Sequence, residues 1–340
     1  MPKINLKALS RKELESFVRA SNLPAYRARQ LMHWIYEKHV PSLHDITEFS
    51  RDLREHLSEQ ATISSLVLKK RQMSSDGTEK FLFGLEDGEA IESVLIPDKD
   101  RLTLCISSQV GCGMRCGFCL TGQMGLARNL KAYESVDQIV SVKRIIAPRP
   151  VTNVVFMGMG EPLANFDEVV KALWRMTECM KISKRRITLS TAGIAPKILE
   201  LARSAPHVNL AISLNATTDS IRDTIMPVNK AYPLPVLMQA CRNYPLDARR
   251  RITFEYVMLR GVNDSPEDAR RLISLLRGIR SKVNLIPLNP FEGCAYRRPD
   301  DEQVLRFQDI LIRGRVTALI RKSKGQDILA ACGQLKAGKG

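Results

Sequence analysis

The sequence predicts an α/β chain built on a mostly parallel sheet, and three observations carry that reading. Between residues 105 and 320, short apolar runs alternate with amphipathic stretches of helical period. Repeated βα units of this length need crossover helices on the faces of a parallel sheet. The polar and glycine residues of the region gather where those strands end, as they do in folds whose sites lie at carboxyl strand ends. The chain has 340 residues, 44% of them hydrophobic, enough for one large core with an appendage.

Residues 1–62 read as a small helical module. Ser10 and Glu13 form a capping box ahead of Leu14, Phe17 and Val18. Pro24 precedes a helix from Tyr26 to about Lys38 with Leu31, Trp34 and Ile35 inward, and a third helix runs from about Ser50 to Leu57. The outer faces carry Arg27, Arg29 and Lys38, which could meet phosphates, although a solvated face explains them equally well. Residues 63–97 form a β-hairpin linker, with strands at 66–72, 79–86 and 89–96 parted by Asp76-Gly77 and Asp87-Gly88. Glu92 lies in the last of these, where alternation allows a carboxylate that faces out and does nothing.

A core spans 98–325. After a strand at 101–108 it has helices at 135–146, 166–180, 195–204, 234–242, 265–277 and 302–312. Strands are expected at 152–158, 186–190, 208–214, 251–259, 282–288 and 315–320. Residues 326–340 make a tail. Four strand ends carry groups suited to a polar ligand: Gly158-Met159-Gly160-Glu161-Pro162, Ser190-Thr191-Ala192-Gly193, Ser213-Leu214-Asn215 and Asn289-Pro290. The glycines permit close backbone approach, and Glu161 could accept from an ammonium group.

The net charge is +16 and the pI about 9.6, which a polyanionic partner explains better than a small metabolite does. Candidate contacts are Lys184-Arg185-Arg186, Arg249-Arg250-Arg251, Arg297-Arg298 and the run from Arg313 to Lys324. Eight cysteines in a chain this long are no secreted disulfide framework and suit a reducing compartment. No apolar run reaches the roughly 18 residues of a membrane span. Met1 to Asn5 open without the apolar segment of a secretory leader, so none is expected.

Three of the cysteines stand together in Gly111-Cys112-Gly-Met-Arg-Cys116-Gly-Phe118-Cys119, a C-x3-C-x2-C spacing inside a glycine-rich loop. Structural zinc wants four ligands, and no fourth lies nearby. A 4Fe–4S cluster on three cysteines leaves one iron open. Cys105 and Cys332 stand apart, one on a strand entering this loop and one in a glycine-containing tail; either is a candidate catalytic thiol. Cys179, Cys241 and Cys294 look like packing or surface residues.

The cysteine loop resembles that of the radical S-adenosylmethionine (SAM) enzymes, in which SAM chelates the open iron. The resemblance implies the open (β/α)6 partial barrel of that superfamily. With Cys105-Ile-Ser-Ser-Gln-Val-Gly-Cys112, Gly-Met-Gly-Glu161-Pro162, Pro287-Leu-Asn289-Pro290 and Ala331-Cys332-Gly333-Gln334-Leu335, the chain resembles the RlmN family from about residue 10 to 335. That family implies a cytoplasmic enzyme, expected as a monomer, that methylates C2 of an adenosine in 23S ribosomal RNA. Methylation of the adenosine 3′ to the anticodon of tRNA is also implied. The resemblance implies one 4Fe–4S cluster on Cys112, Cys116 and Cys119, two SAM molecules per turnover, and a reductant such as flavodoxin or ferredoxin. It assigns Cys332 as the S-methylcysteine that delivers the carbon, Glu92 as the proton acceptor and Cys105 as the thiol that resolves the adduct through a transient disulfide. Gly160, Glu161, Ser190, Ser213, Leu214, Asn215 and Asn289 match the family's SAM-binding positions; Asn215 stands where several members have histidine. Related enzymes that methylate adenine C8 share the cysteines and carry alanine after Gly-Met-Gly-Glu, so Pro162 favours C2. A reading from another class is a non-catalytic Fe–S or zinc module that binds RNA.

Overall fold

The computed structural model describes residues 3–337; Met1-Pro2 and Gly338-Lys339-Gly340, the ends on which the leader and tail expectations partly fall, lie outside them. The chain opens with β1 (Ile4–Asn5), followed by α1 (Arg11–Ala20), α2 (Tyr26–Tyr36) and α3 (Arg51–Gln60), and then β2 (Ala61–Thr62), which pairs with β1 in parallel. The predicted capping box is present: Ser10 Oγ accepts from Glu13 N at 3.3 Å and Glu13 Oε2 from Ser10 N at 2.6 Å. Leu14, Phe17, Val18, Leu31 and Ile35 are buried, so the helical period did mark the inward faces.

Four strands follow: β3 (Val67–Met73), β4 (Glu79–Gly84), β5 (Ala90–Asp98) and β6 (Arg101–Ile106). They pair antiparallel in chain order, the first two turns using Gly77 and Gly88 at φ +81 and +85. The cysteine loop comes next. It is bracketed by a small antiparallel pair with no forewarning in the residue pattern, β7 (Gln109–Gly111) and β8 (Leu126–Asn129), with the one-turn α4 (Leu120–Gln123) between them.

The remaining elements alternate as the pattern requires. They are α5 (Ala132–Ile146), β9 (Asn153–Phe156), α6 (Phe166–Glu178), β10 (Ile187–Thr191), α7 (Ala195–Ser204) and β11 (Asn209–Ser213). Then come α8 (Asp219–Ile225), α9 (Leu234–Asn243), β12 (Ile252–Met258), α10 (Pro266–Leu275), β13 (Ser281–Pro287), α11 (Asp301–Arg313) and β14 (Ala318–Ile320). One ten-stranded sheet runs β14-β13-β12-β11-β10-β9-β6-β5-β4-β3, parallel from β6 through β14. The β-hairpins are therefore continuous with the core sheet. Helix α8 was missed because its seven residues lie between a strand end and a proline, too short to show a period.

Beyond β14 the tail crosses to the opposite edge of the sheet. Gly325 N donates to Asp76 Oδ2 at 2.9 Å in the β3–β4 turn, and Asp327 accepts from Ser74 Oγ at 2.6 Å and Ser75 N at 3.1 Å. The tail thus ties the last strand to the first.

The N-terminal module is fastened to the core by a fully buried ion pair, Lys7 with Asp137 of α5. Lys7 also donates to Ser64 O at 2.6 Å, and Asp137 Oδ2 accepts from Leu66 N at 2.7 Å. Removing one member of such a pair strands the other, so Lys7→Met is expected to lower unfolding free energy by about 3–5 kcal/mol in urea titration. A loss under about 1 kcal/mol would show the junction to be held elsewhere.

Candidate active site

Strand register decides which side chains meet inside the barrel. Ser93 donates from Oγ to Gln138 Oε1 of α5 at 2.8 Å, so it faces the outer helices. Glu92, its neighbour, must face inward. Val94 pairs directly with Cys105, which puts Cys105 on that same inner face. Alternation alone allowed an outward, idle Glu92; the residue is instead only 4% exposed, because β5 is covered on both faces. Its Oε1 lies 3.1 Å from Lys80 Nζ, and its backbone is held by Ser107 Oγ donating to Glu92 O at 2.6 Å.

The cysteine loop leaves the carboxyl end of β6 and is folded tightly on itself. Gly111 has φ +76, and a side chain there would strike Gly125 O at 2.0 Å. Gly117 lies against Tyr296, whose hydroxyl would be 3.2 Å from any added Cβ. Burial pushes the Cys112 thiol up to about 12 and raises Cys116 and Cys119 as well; the proximity of Cys119 and Cys112 adds to the effect at Cys116. Three mutually repelling, desolvated sulfurs are a donor set that a soft, positively charged centre would relieve, with release of protons on binding. Among the described residues, no three His, Cys, Asp or Glu side chains converge tightly enough for one ion.

The strand ends form the walls. Gly160 has φ +100, and a Cβ would sit 2.5 Å from that of Gln109. Glu161 is buried, with Oε1 accepting from Leu163 N at 2.9 Å and Oε2 from Ala192 N at 2.6 Å; desolvation raises its pKa. It therefore ties two strand ends together. Ser190 is buried and Ser213 half-buried. Leu214 O accepts from Arg222 Nε at 2.9 Å. Asn215 holds φ +57, its Oδ1 accepting from Val257 N at 2.8 Å and its O from Asn263 Nδ2 at 2.7 Å. Asn289 donates from Nδ2 to Cys332 O at 3.2 Å and accepts from Gln326 Nε2 at 2.8 Å, so it grips the tail.

The tail is docked over these groups. Leu120 N donates to Gly333 O at 2.7 Å and Thr121 Oγ1 to Leu335 O at 2.6 Å, both from the end of the cysteine loop. Gln334 Nε2 donates to Pro290 O at 2.7 Å, and Lys336 N to Glu92 Oε2 at 2.8 Å. Cys332 has solvent access as a residue, yet its thiol is crowded by protein, and that crowding governs its proton affinity. Desolvation pushes it up to about 12, with Cys119, Glu255 and Cys105 within electrostatic reach. Cys105 is also pushed to about 12 by burial. All eight cysteines are free thiols.

Comparisons with known proteins agree with this geometry. Residues 106–273 match the radical SAM superfamily, and residues 4–63 match the ribosomal RNA large subunit methyltransferase N-terminal domain. The chain is 52% identical over 335 residues to a dual-specificity RNA methyltransferase RlmN from Geobacter sulfurreducens, covering 98% of this chain and 92% of that one. The chain belongs to the RlmN family of RNA methyltransferases. An RlmN from Geotalea uraniireducens is 50% identical, with 99% and 97% covered. The crystal structure of a radical SAM methyltransferase from Sphaerobacter thermophilus superposes with TM-score 0.94 at 43% identity, covering 98% of this chain and all of that one. The radical SAM fold expected for this family is therefore present, and the non-catalytic module is overturned by near full-length similarity to RNA methyltransferases.

Residues that the sequence reading passed over also stand at this RlmN-family site. Arg222, fully buried on α8, donates to Ala192 O at 2.6 Å, Ser213 O at 3.2 Å and Leu214 O, lacing three wall positions together. Burial lowers its pKa to about 10, and Cys116 is within its electrostatic reach. Nothing in the sequence flagged it. Lys80 had a signal: a lysine directly ahead of the apolar run Phe81-Leu82-Phe83.

Because Cys332 is mostly protonated at neutral pH, its thiolate fraction should climb with every added unit. In cluster-free protein, iodoacetamide labelling of Cys332 is expected to rise about tenfold per unit from roughly pH 7 to 10, without levelling. A plateau near pH 9, followed by mass spectrometry of the tail peptide, would mean that the thiol is not held in the pocket.

Proposed function

We propose that this enzyme methylates C2 of an adenosine in 23S ribosomal RNA, and the adenosine 3′ to the anticodon in tRNA, through a methylated Cys332. The observation that carries the reading is the docked tail: its thiol is within electrostatic reach of Cys119 and Cys105, and its main chain bonds Glu92. The dual-specificity name of the relatives at about 50% identity supports both RNA classes.

Cys112, Cys116 and Cys119 would hold one 4Fe–4S cluster, with SAM on the remaining iron and Gly160, Glu161, Ser190, Ser213, Leu214, Asn215 and Asn289 around it. When bound, this pair supplies a carbon-centred radical able to take hydrogen from a methyl group. Adenine C2 lies between two ring nitrogens and is too electron-poor to attack a methyl sulfonium directly, so the protein must carry the carbon. The Cys332 thiolate takes a methyl group from a first SAM, a second SAM serving the radical step. That methyl carbon, having given up one hydrogen atom to the radical, joins C2; the ring then sheds one electron, which the oxidised cluster would take back, and the C2 proton, which Glu92 accepts. The Cys105 thiolate attacks Cys332 Sγ. The sulfur–carbon bond breaks with its electron pair going to carbon, which takes a proton to complete the methyl group. The Cys105–Cys332 disulfide must then be reduced before another cycle.

The N-terminal module (1–62), the hairpins (63–97), the core (98–325) and the tail (326–340) divide the work as RNA grip, proton acceptor, radical chamber and carbon carrier. Arg297 and Arg298 follow β13, and Arg321 and Lys322 follow β14, all exposed on the same side as the site. Lys184 to Arg186, Arg249 to Arg251 and Arg313 precede strands β10, β12 and β14 and so sit at the far end. RNA contacts belong to the first group. The enzyme works as a monomer in the cytoplasm, where ribosomal RNA is made, with a flavodoxin- or ferredoxin-type electron donor.

Anaerobic turnover with SAM, reductant and an RNA fragment tests this. Wild type is expected to yield 2-methyladenosine, Cys105→Ala a protein–RNA adduct in gels, and Cys332→Ala neither. Methyl at C8, or normal turnover by Cys105→Ala, would overturn the reading.

A further inference from the structure

Lys80 is almost completely enclosed, at 7% exposure, and faces the barrel interior from β4. Leu82 pairs with Glu92 and Lys80 with Val94, so Lys80 and Glu92 are diagonal neighbours on one face. Their charges meet at 3.1 Å, with side chains 8% and 6% exposed. A carboxylate enclosed to this degree needs a counter-charge, and Lys80 is the cation that touches it.

The pair does more than satisfy itself. Lys80 Nζ also donates to Leu329 O at 3.2 Å, and the other oxygen of Glu92, Oε2, accepts from Lys336 N at 2.8 Å. Leu329 stands just before Cys332 in the chain and Lys336 just after it. Both shoulders of the Cys332 loop are thus pinned to one buried ion pair, one through the ammonium and one through the carboxylate.

We propose that Lys80 is a positioning residue that holds Glu92 and the Cys332 loop as one unit, and that the docked tail occupies the Glu92 oxygen which must later receive the proton from C2. The proposal rests on the roles given above to Glu92 and Cys332. While Lys336 N is bonded to Oε2, that oxygen is engaged. Lifting the Lys336 shoulder frees it, and Lys80 keeps Oε1 and the Leu329 shoulder in place meanwhile. The acceptor becomes available only in the arrangement in which the tail has moved for RNA. This would keep Glu92 from exchanging protons with solvent before the adduct forms. Lys80 touches neither RNA nor SAM in this scheme; it acts through Glu92.

Two readouts on the full-length, cluster-loaded enzyme test it. Without RNA or SAM, Lys80→Met should make amide hydrogen exchange across residues 326–337 about tenfold faster, with β12 and β13 unchanged. In single turnover on RNA deuterated at adenine C2, Lys80→Met should accumulate adduct and enlarge the isotope effect on product release, while Lys80→Arg restores both toward wild type. Wild-type tail protection together with wild-type adduct levels in Lys80→Met overturns the proposal. Glu92→Gln, run alongside, separates the two failures. Normal turnover by Glu92→Gln overturns the proton-acceptor reading and this proposal with it. A blocked Glu92→Gln beside an unaffected Lys80→Met overturns the Lys80 proposal alone. Should Lys80→Met not fold with its stranded carboxylate, the charge-balanced Lys80→Met/Glu92→Gln pair serves for the exchange measurement. A tail as protected there as in Glu92→Gln overturns the proposal, and a loosened one supports it.

Discussion

The hydrogen bond from Leu120 N to Gly333 O is the contact on which the rest of the arrangement depends. It joins the end of the cysteine loop to the residue after Cys332, and so makes two distant parts of the chain one local structure. Glycine at 333 is required for a physical reason. Its φ is +85, and a side chain there would approach Phe118 O at 3.3 Å. Thr121, Asn289, Gln334 and Glu92 add polar contacts to the same short segment, none of them large, all of them sheltered. Ala330, Leu335 and Ala337 of the same segment are buried against the core, so the tail is docked by apolar packing as well as by these bonds.

The open sheet makes this docking useful. Strands β6 and β9 to β14 run parallel and send their carboxyl ends to one side, where the cysteine loop, Glu161, Ser213 and Asn289 collect. The antiparallel extension β3–β5 brings Lys80 and Glu92 to the inner face beside Cys105. The tail then spans from β14 back to the β3–β4 turn. The tail is thus the element that bridges the two edges of the sheet.

Much of this was legible in the sequence, and the exceptions are instructive. The alternation of strand and helix, the Asp-Gly turns and the Ser10 capping box all rest on local rules, and each reappears within a few residues of its expected bounds. The cysteine spacing marked the centre of the site because thiolates at such intervals have few other uses. Glu92 was misjudged by its own alternation, since period two tells which residues share a face but not which face is covered. Lys80 and Arg222 escaped for the same reason at longer range: their partners, Leu329 and Leu214, are set by tertiary contact and not by spacing. The basic clusters were visible as composition, but only strand direction separates those beside the site from those beneath it.

The central claim is that a tail thiol carries the carbon to the ring instead of SAM passing it directly. Turnover with SAM bearing a fully deuterated methyl group decides it. The account predicts a product methyl with two deuterium atoms and one hydrogen, because one deuterium is lost while the carbon is on Cys332 and the last hydrogen comes from water. A product retaining all three deuterium atoms would contradict it.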